Sequence, residues 1–171
     1  MLRKIVKYGD PVLETPSDPV VEFGTPELRE LVDDMFETMY DAKGVGLAAP
    51  QVGIGKRLTV IDCTGGDKEG HKLVLINPEI VSTEGEQVGE EGCLSIPGFR
   101  ENVKRPYKVV ARYQDVAGKW FEITGEELLA RAILHENDHL DGVLFLSHLS
   151  RLKRELIKRK IKKLRRDGEW D

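Results

Sequence analysis

The stretch AILHENDHLDG, residues 132–142, constrains the fold most because it contains a His-Glu-x-x-His pattern. Residues four apart lie on one face of an α-helix, so His135 and His139 can bind one metal ion if this stretch is helical. A catalytic metal site usually takes three protein ligands and leaves one position for water. The fold must therefore bring a third ligand to this helix from elsewhere in the chain.

Glu136 follows His135 directly and is offset by about 100° around the helix. It would lie beside the ion without binding it, where it can accept a proton from water and pass it to a leaving group. The same pattern also occurs by chance on solvent-exposed helices. The motif alone therefore leaves both interpretations open.

Three downstream positions are weak candidates for the third ligand. The spacing His-Glu-x-x-His-x-x-Gly continues through Gly142, but a metzincin-type site needs a histidine at position 145, and the residue there is Phe145. Glu155 lies among ten Lys and Arg residues and is expected to form ion pairs along a helix. His148 lies only nine residues after His139 and is better explained as a polar surface residue.

A better candidate is Cys93, in the upstream stretch EEGCLSIPG, residues 90–98. Glycines and a proline around this cysteine are typical of a strand whose backbone approaches another group closely. A thiolate joins two imidazoles naturally in a tetrahedral site that leaves one position for water. The other cysteine, Cys63, ends an apolar run and is expected to be a small core residue, and neither thiol is expected to form a disulfide.

The stretch GVGLAAPQVG, residues 44–53, is rich in small residues and lacks the pattern of a phosphate-binding loop. It is either a plain turn between a helix and a strand or a segment that packs closely against the site. In the second case, the Gln51 amide could donate a hydrogen bond to an oxyanion. Leu128 and Ala132, on the histidine face of the predicted helix, either belong to the core or line a pocket beside the ion.

Periodicity predicts three helices with strands between the first two. Turn-forming residues dominate positions 1–24, Thr25 and Pro26 begin the first helix, and Gly44 ends it. Because the strands cluster without strict alternation with helices, the prediction is an α+β fold with mostly antiparallel sheets around the histidine-bearing helix. The predicted strands are 58–63, 71–76, 107–113 and 120–123, and the later helices are about 125–140 and 148–166.

Length and composition indicate one catalytic domain, spanning residues 1–171, because 40% of the chain is hydrophobic and 33% is charged. No apolar run approaches the roughly 18 residues that a membrane span requires. The first residues contain acids and no apolar segment, which argues against a signal or transit peptide. The expected location is the cytoplasm, and neither a membrane nor DNA is expected as a partner.

Positive charge is concentrated near the C-terminus. Residues 151–166 carry ten Lys or Arg and one acid, whereas the remainder of the chain has a net charge of −13. An apolar stripe along this helix is explained by docking on the body of the protein. The almost purely positive opposite face favours contact with phosphate groups.

Three stretches, GVGLAAPQ, EGCLS and HENDH, occur in this order and resemble the motifs of the peptide deformylase family. The opening GDPVLETP and the spacing between motifs are also similar, so the resemblance covers nearly the whole chain. This family removes the formyl group from the N-terminal methionine of nascent polypeptides by metal-dependent hydrolysis and releases formate. The resemblance implies an enzyme of protein biosynthesis that acts on N-formyl-methionyl nascent peptides.

The resemblance also implies a role for each matching residue. The metal ligands fall on Cys93, His135 and His139. The general acid/base falls on Glu136, and the oxyanion donors fall on the Gln51 side chain and the Leu94 backbone N–H. Among the substrate-binding positions, Gly46 falls beside the substrate backbone. The methionine pocket falls on Val45, Leu128 and Ala132. Arg100 falls beside that pocket, although surface ion pairing explains this residue equally well.

The identity of the metal and the role of the basic helix are also implied by the resemblance. Irving–Williams order favours zinc over iron(II) at such a site, whereas the family is associated with ferrous iron. We expect Fe²⁺ as the native ion, with Zn²⁺ or Ni²⁺ able to replace it. The family's extended C-terminal helix is linked with ribosome docking, so the helix at 148–166 is expected to contact the ribosome near the exit tunnel.

Two other functions explain part of the sequence. A metalloendopeptidase would use the same histidine pair and Glu136, but it needs an extended cleft. A non-enzymatic RNA-binding protein with a structural metal would use the basic helix. That second alternative leaves Glu136 and the open metal position unexplained.

Overall fold

The structure is a computed structural model that describes residues 1–170, so the last residue of the predicted 1–171 domain lies outside it. Within this range there are three α-helices: α1 (Pro26–Asp41), α2 (Leu128–Leu140) and α3 (Arg151–Arg166). Short 3₁₀ turns occur at Pro11–Glu14, Ala49–Val52 and Phe145–His148. The strands are β1 (Gly46–Ala48), β2 (Leu58–Ile61), β3 (Leu73–Glu84), β4 (Gln87–Cys93), β5 (Ile96–Arg105), β6 (Lys108–Gln114) and β7 (Trp120–Glu126).

The strands form two antiparallel sheets, which confirms the predicted α+β class. A five-stranded sheet has the order β1-β2-β3-β6-β7, and β4 pairs with β5 in a separate two-stranded sheet. Sequence patterns predicted β2, β3, β6 and β7 approximately and indicated a strand around Cys93, but they did not resolve β1 or the pairing of β4 with β5. Strand β1 has only three residues, and β4 and β5 are rich in glycine and charged residues, so alternation of apolar and polar residues is weak there.

Helix α2 lies at the centre of the molecule and packs against β1, β2, β6 and β7. Its buried face, which includes Ala130 and Ile133, contacts strand residues such as Leu75 and Val109. On α1, Met35 belongs to a second cluster with β1 and β2. Each fully buried side chain of this size contributes about 1.5–3 kcal/mol to stability. The histidine-bearing helix is therefore held firmly by the larger sheet.

Helix α1 begins as predicted but ends differently. The Thr25 hydroxyl accepts a hydrogen bond from the Leu28 N–H, as expected of an N-cap. At the other end the left-handed residue is Lys43, with φ 59°, and not Gly44. The N–H groups of Lys43 and Gly44 donate to the carbonyls of Tyr40 and Met39, the hydrogen-bond pattern of a Schellman motif. The prediction that Gly44 ends the helix was wrong by one residue.

Helix α2 begins later than predicted, because Gly125 still belongs to β7. The residue before the helix, Glu127, has φ 55° and ψ −122°. Residues other than glycine rarely adopt this backbone conformation. After the helix, Gly142 has φ 76°, and a Cβ there would lie 2.9 Å from the backbone of Glu14. Both ends of α2 are therefore sharply defined by the backbone around them.

Helix α3 also begins later than the predicted 148, after the 3₁₀ turn that contains His148. Ser150 caps it by accepting a hydrogen bond from the Lys153 N–H. Ile157 and Ile161 are buried against a cluster that includes Phe145, whereas most of its Lys and Arg residues are exposed. No helix within residues 1–170 is long and apolar enough to cross a membrane.

Candidate active site

Cys93, His135 and His139 meet at the junction of the two sheets. One potential ligand atom from each of the three residues lies within 4.8 Å of the other two. The Cys93 Sγ lies 3.4 Å from Nε2 of His139, and the two imidazole rings are 5.0 Å apart. Both histidines are buried, and Cys93 is half-buried. A sulfur and two imidazole nitrogens at this spacing fit a tetrahedral divalent ion that keeps one open position.

The β4–β5 hairpin brings Cys93 to α2, and the pairing of its two strands becomes irregular between Gly92 and Cys93. Gly92 pairs with Arg100, but the next residue, Cys93, pairs with Ile96, so several residues of β5 are skipped. This shift takes Cys93 out of the regular ladder. The Ser95 carbonyl in the turn accepts a hydrogen bond from the Tyr8 N–H at 2.8 Å. The N-terminal segment thus supports the ligand turn from outside.

Glu91 contacts the first histidine, although sequence analysis did not single it out. Its Oε1 lies 2.8 Å from Nδ1 of His135, and the carboxylate also accepts hydrogen bonds from Arg105 and Arg131. All four side chains are buried. Burial alone would raise the pKa of Glu91, but the bonds from His135 and Arg105 lower it far below its usual range. The available clue was Arg131, a charge within the apolar run LLARAIL.

His148 belongs to the edge of this network and not to the group of ligands. Its Nε2 lies 2.9 Å from Oδ2 of Asp138, which also accepts a 2.7 Å hydrogen bond from Arg105. The side chain of His148 is one-third exposed. The structure therefore places it as a polar residue near the surface.

Glu136 is buried, and its carboxylate lies against Gly46. A Cβ at position 46 would be only 2.6 Å from Oε2 of Glu136, so any other residue there would displace the carboxylate. The other carboxylate oxygen, Oε1, is buried and has no hydrogen-bond partner within residues 1–170. Burial raises the pKa of Glu136 to about 7. A carboxyl group in this state can both accept and donate a proton near neutral pH.

Gln51 and Leu94 both lie next to Cys93. The buried Gln51 amide accepts a hydrogen bond from the Ala48 N–H, and its NH₂ group lies 3.2 Å from Ser95 Oγ and 3.5 Å from Cys93 Sγ. These contacts direct the amide donor toward the ligand turn. The Leu94 N–H has no acceptor in the described part of the chain.

A cavity of about 600 Å³ opens beside these residues. One side is formed by residues 43–46 and another by residues 90–94, which belong to or adjoin the open edges of β1 and β4. Gln51 and His139 are not part of its lining. The predicted site residues that line the cavity are Val45, Gly46, Cys93, Leu94, Arg100, Leu128, Ala132, His135 and Glu136.

Comparison with known proteins identifies the family. The family model described as polypeptide deformylase matches residues 2–155. The chain is a member of the peptide deformylase family. A peptide deformylase of Acidobacterium capsulatum is 61% identical over 170 residues, which is 99% of each chain. The crystal structure of the Legionella pneumophila peptide deformylase matches with a TM-score of 0.90 and 50% sequence identity over 98% of each chain. The crystal structure of the Thermus thermophilus peptide deformylase matches with a TM-score of 0.87 and 41% sequence identity over 95% of each chain.

Membership of the family establishes the reaction. The protein is a metal-dependent hydrolase that removes the N-formyl group from nascent peptides. Its Cys93, His135 and His139 group is able to hold the metal. The assignment selects the deformylase interpretation over the metalloendopeptidase and the non-enzymatic alternatives.

Proposed function

We propose that Cys93, His135 and His139 bind the catalytic ion and that Glu136 is the general acid/base of formyl removal. One observation carries this assignment. The unpartnered Oε1 of a buried Glu136 lies beside the ligand group, in the same cavity as Cys93 and His135. A buried polar atom without a partner is costly unless water or substrate satisfies it.

The side chains then have separate tasks. A bound divalent ion supplies Lewis acidity, which makes water a stronger acid and the formyl carbon more electrophilic. Glu136 accepts the proton that the attacking water loses as the new C–O bond forms. When the C–N bond breaks, Glu136 returns this proton to the departing amine, and formate and a free N-terminus are released. Its pKa of about 7 suits both transfers.

The oxyanion that forms at the formyl oxygen needs hydrogen-bond donors. We assign this role to the Leu94 N–H, which has no acceptor among residues 1–170, and to the Gln51 amide. The Gln51 amide is already oriented by the Ala48 N–H, so it needs little reorganisation during the reaction.

The substrate peptide fits an extended conformation between the open edges of β1 and β4. Edge strands present unpaired N–H and C=O groups that can pair with another extended chain. Val45 is 36% exposed and Leu128 is 49% exposed, so apolar surface is available for the methionine side chain, with Ala132 beside it. Gly46 keeps the backbone of β1 close to Glu136.

Arg100 lies at the mouth of the cavity and has a partner there. Its Nε lies 2.5 Å from Oε1 of Glu90, and both side chains are about 60% exposed. Surface ion pairing therefore describes its contacts in this structure. We propose that it also contacts the substrate backbone, because it lines the cavity.

A matched pair of variants tests the catalytic assignment. Replacing Glu136 by Ala should leave the metal bound but lower kcat for formate release from a formyl-methionyl tripeptide by about 10²–10⁴-fold. Glu30→Ala, the same change at an exposed position of α1, is the control and should retain the wild-type rate. Removal of the ion with a chelator should abolish activity. A folded, metal-loaded Glu136→Ala protein with wild-type turnover would refute the assignment.

For the ion itself we propose Fe²⁺, with Zn²⁺ or Ni²⁺ as replacements. A thiolate with two imidazoles accepts all three, so affinity alone does not select iron. Metal analysis of protein purified without oxygen, followed by reloading with each ion, tests this. Zinc as the dominant ion in anaerobic protein, with undiminished activity, would exclude iron as the native metal.

We further propose that α3 contacts the ribosome and that the enzyme works in the cytoplasm, where nascent chains emerge. The positive face of α3 is exposed, and the family model ends at residue 155, within this helix. Truncation after Ser150 would remove the buried Ile157 and Ile161 and expose the core. Charge reversal is therefore a better test than truncation.

Reversing Lys162 and Lys163 to Glu should weaken ribosome binding in a salt-dependent manner and leave activity on short formyl peptides intact. The control is Lys68→Glu, a charge reversal in an exposed turn that is far from α3 in the sequence. Ribosome binding that is unaffected by the double reversal would contradict the proposal.

A further inference from the structure

Three Lys or Arg side chains line the active-site cavity, and one of them differs from the others in having no acidic partner. The three are Lys43, Arg100 and Arg131. Arg131 donates to Glu91, and Arg100 lies 2.5 Å from Glu90. The ammonium group of Lys43 has no hydrogen bond or ion pair within residues 1–170. A positive charge beside the substrate is therefore not neutralised by the described part of the chain.

The backbone holds Lys43 firmly at the wall of this cavity. Its N–H donates to the Tyr40 carbonyl at 3.0 Å, and the N–H of Gly44 donates to the Met39 carbonyl at 2.9 Å. The φ of Lys43 is 59°, which is unfavourable for a residue with a side chain. Such backbone outliers cluster at ligand-binding sites. The side chain is exposed, so its flexible four-carbon stem can reach a ligand that enters the cavity.

The place of Lys43 along the wall corresponds to the third residue of a bound peptide. Gly46 lies against Glu136 at the reacting end, and Val45 is the proposed contact of the methionine side chain. An extended peptide advances about 3.3 Å per residue, and its side chains alternate between two faces. Two residues after methionine, the peptide has advanced about 7 Å, and its side chain again points to the methionine face. Lys43 is likewise two residues from Val45.

An acidic side chain at this third position complements Lys43. A carboxylate there can accept a charge-assisted hydrogen bond from the ammonium group, whereas an amide gains less and a second lysine is repelled. The chain outside residues 151–166 has a net charge of −13, so the field of the body disfavours acidic peptides in general. A preference for an acidic residue must therefore come from a local contact.

We propose that Lys43 is a specificity-determining residue, which favours formyl-methionyl substrates with Asp or Glu as their third residue. Its ammonium group donates to the side-chain carboxylate of that residue. Because this contact is the same before and during the reaction, it lowers KM and leaves kcat unchanged. The inference rests on the proposed extended binding of the substrate between β1 and β4, and it adds the class of nascent chain that the site prefers.

Formate release from blocked peptides tests the proposal. The substrates are formyl-Met-Ala-Glu-Ala-amide and the same peptide with Gln as its third residue, so that no C-terminal carboxylate competes. The wild-type kcat/KM should be about 2–5-fold higher for the Glu peptide, through KM, and the difference should shrink at high salt. Lys43→Gln should bring the ratio to about one, and Lys43→Glu should invert it. The control, Lys68→Gln, removes the same charge from an exposed turn and should keep the wild-type ratio.

Equal kcat/KM values for the two peptides in the wild type would overturn the proposal, as would a preference that persists in Lys43→Gln. Moving Glu to the second residue should abolish the preference, because that side chain points to the opposite face. The same preference at both positions would indicate a general attraction of charge and would also overturn the proposal. Failure of the proposal leaves formate release from both peptides intact, whereas failure of the proposed function would remove it from both.

Discussion

The cavity has two walls that differ in how they are held. The metal wall, formed by α2 and β4, contains buried charged groups that are bonded to one another, with Glu91 at the centre. The peptide wall, residues 43–46, has glycines and the exposed side chains Lys43 and Val45. The difference indicates that His135 is fixed by a side-chain hydrogen bond, whereas the peptide wall presents mainly backbone and apolar surface to the cavity.

The largest effect should come from a change where the two walls touch. In Gly46→Ala, the new Cβ would lie 2.6 Å from Oε2 of Glu136, so the carboxylate must move. A displacement of about 1 Å at a reacting group can lower the rate by about 10²-fold. We expect this loss in kcat, with metal content unchanged, in a formate-release assay.

Gly55→Ala is the matched control, because nothing lies within 4 Å of a Cβ at that position and its φ is not positive. It should behave as the wild type does. If Gly46→Ala retained full kcat, Glu136 would be free to shift, and the metal wall would be less rigid than its contacts indicate.

A smaller effect, a gain in stability, should come from a substitution at the strained start of α2. Glu127 has φ 55° and ψ −122°, and such a conformation costs about 1–3 kcal/mol for a residue with a side chain. Glu127→Gly removes this strain but loses the exposed hydrogen bond from the Tyr107 hydroxyl. We expect a net gain of about 1 kcal/mol in the free energy of unfolding, or roughly 2–4 °C in Tm.

The neighbouring Glu126 provides the control for this prediction. It lies in β7 with ordinary backbone angles, so Glu126→Gly should lower stability by about 0.5–1 kcal/mol. Equal effects of the two substitutions in thermal unfolding would show that the strain at Glu127 has no energetic weight.

The smallest effect should be found on the peptide wall, at the end of α1. Lys43 occupies the left-handed position where helices favour glycine. Lys43→Gly should therefore raise the free energy of unfolding by about 0.5–1 kcal/mol. Lys68→Gly, in a turn without positive φ, should give no gain. Denaturant unfolding distinguishes the two, and a loss of stability in Lys43→Gly would mean that its side chain contributes more than the strain costs.

Sequence patterns predicted the parts of this molecule that depend on local spacing. The helical face of His135 and His139 follows from a four-residue interval, and the Thr25 cap follows from residue type. Strands with a clear apolar run, such as β2 and β6, were also predicted. The fold class followed from the order of these elements.

Other parts depend on contacts that are distant in sequence, and they were not predicted. Glu91 meets Arg131 across 40 residues and His135 across 44, and no local pattern relates them. Gly44 was predicted to end α1, because glycine is the usual residue after a helix, whereas the left-handed residue there is Lys43. Gly46 was matched to the substrate through family resemblance, and only the structure shows that it also makes room for Glu136.

The N-terminal segment that supports the ligand turn links the order of synthesis to the order of assembly. The Val6 and Tyr8 N–H groups bond to the carbonyls of Gln51 and Ser95, close to both proposed oxyanion donors. The Tyr8 carbonyl in turn accepts a hydrogen bond from the indole of Trp170, which is made 162 residues later. During translation, the Tyr8 carbonyl therefore gains this bond only after residue 170 has been made. An enzyme that acts on growing chains thus completes the support of its own ligand turn only after Trp170 has been made.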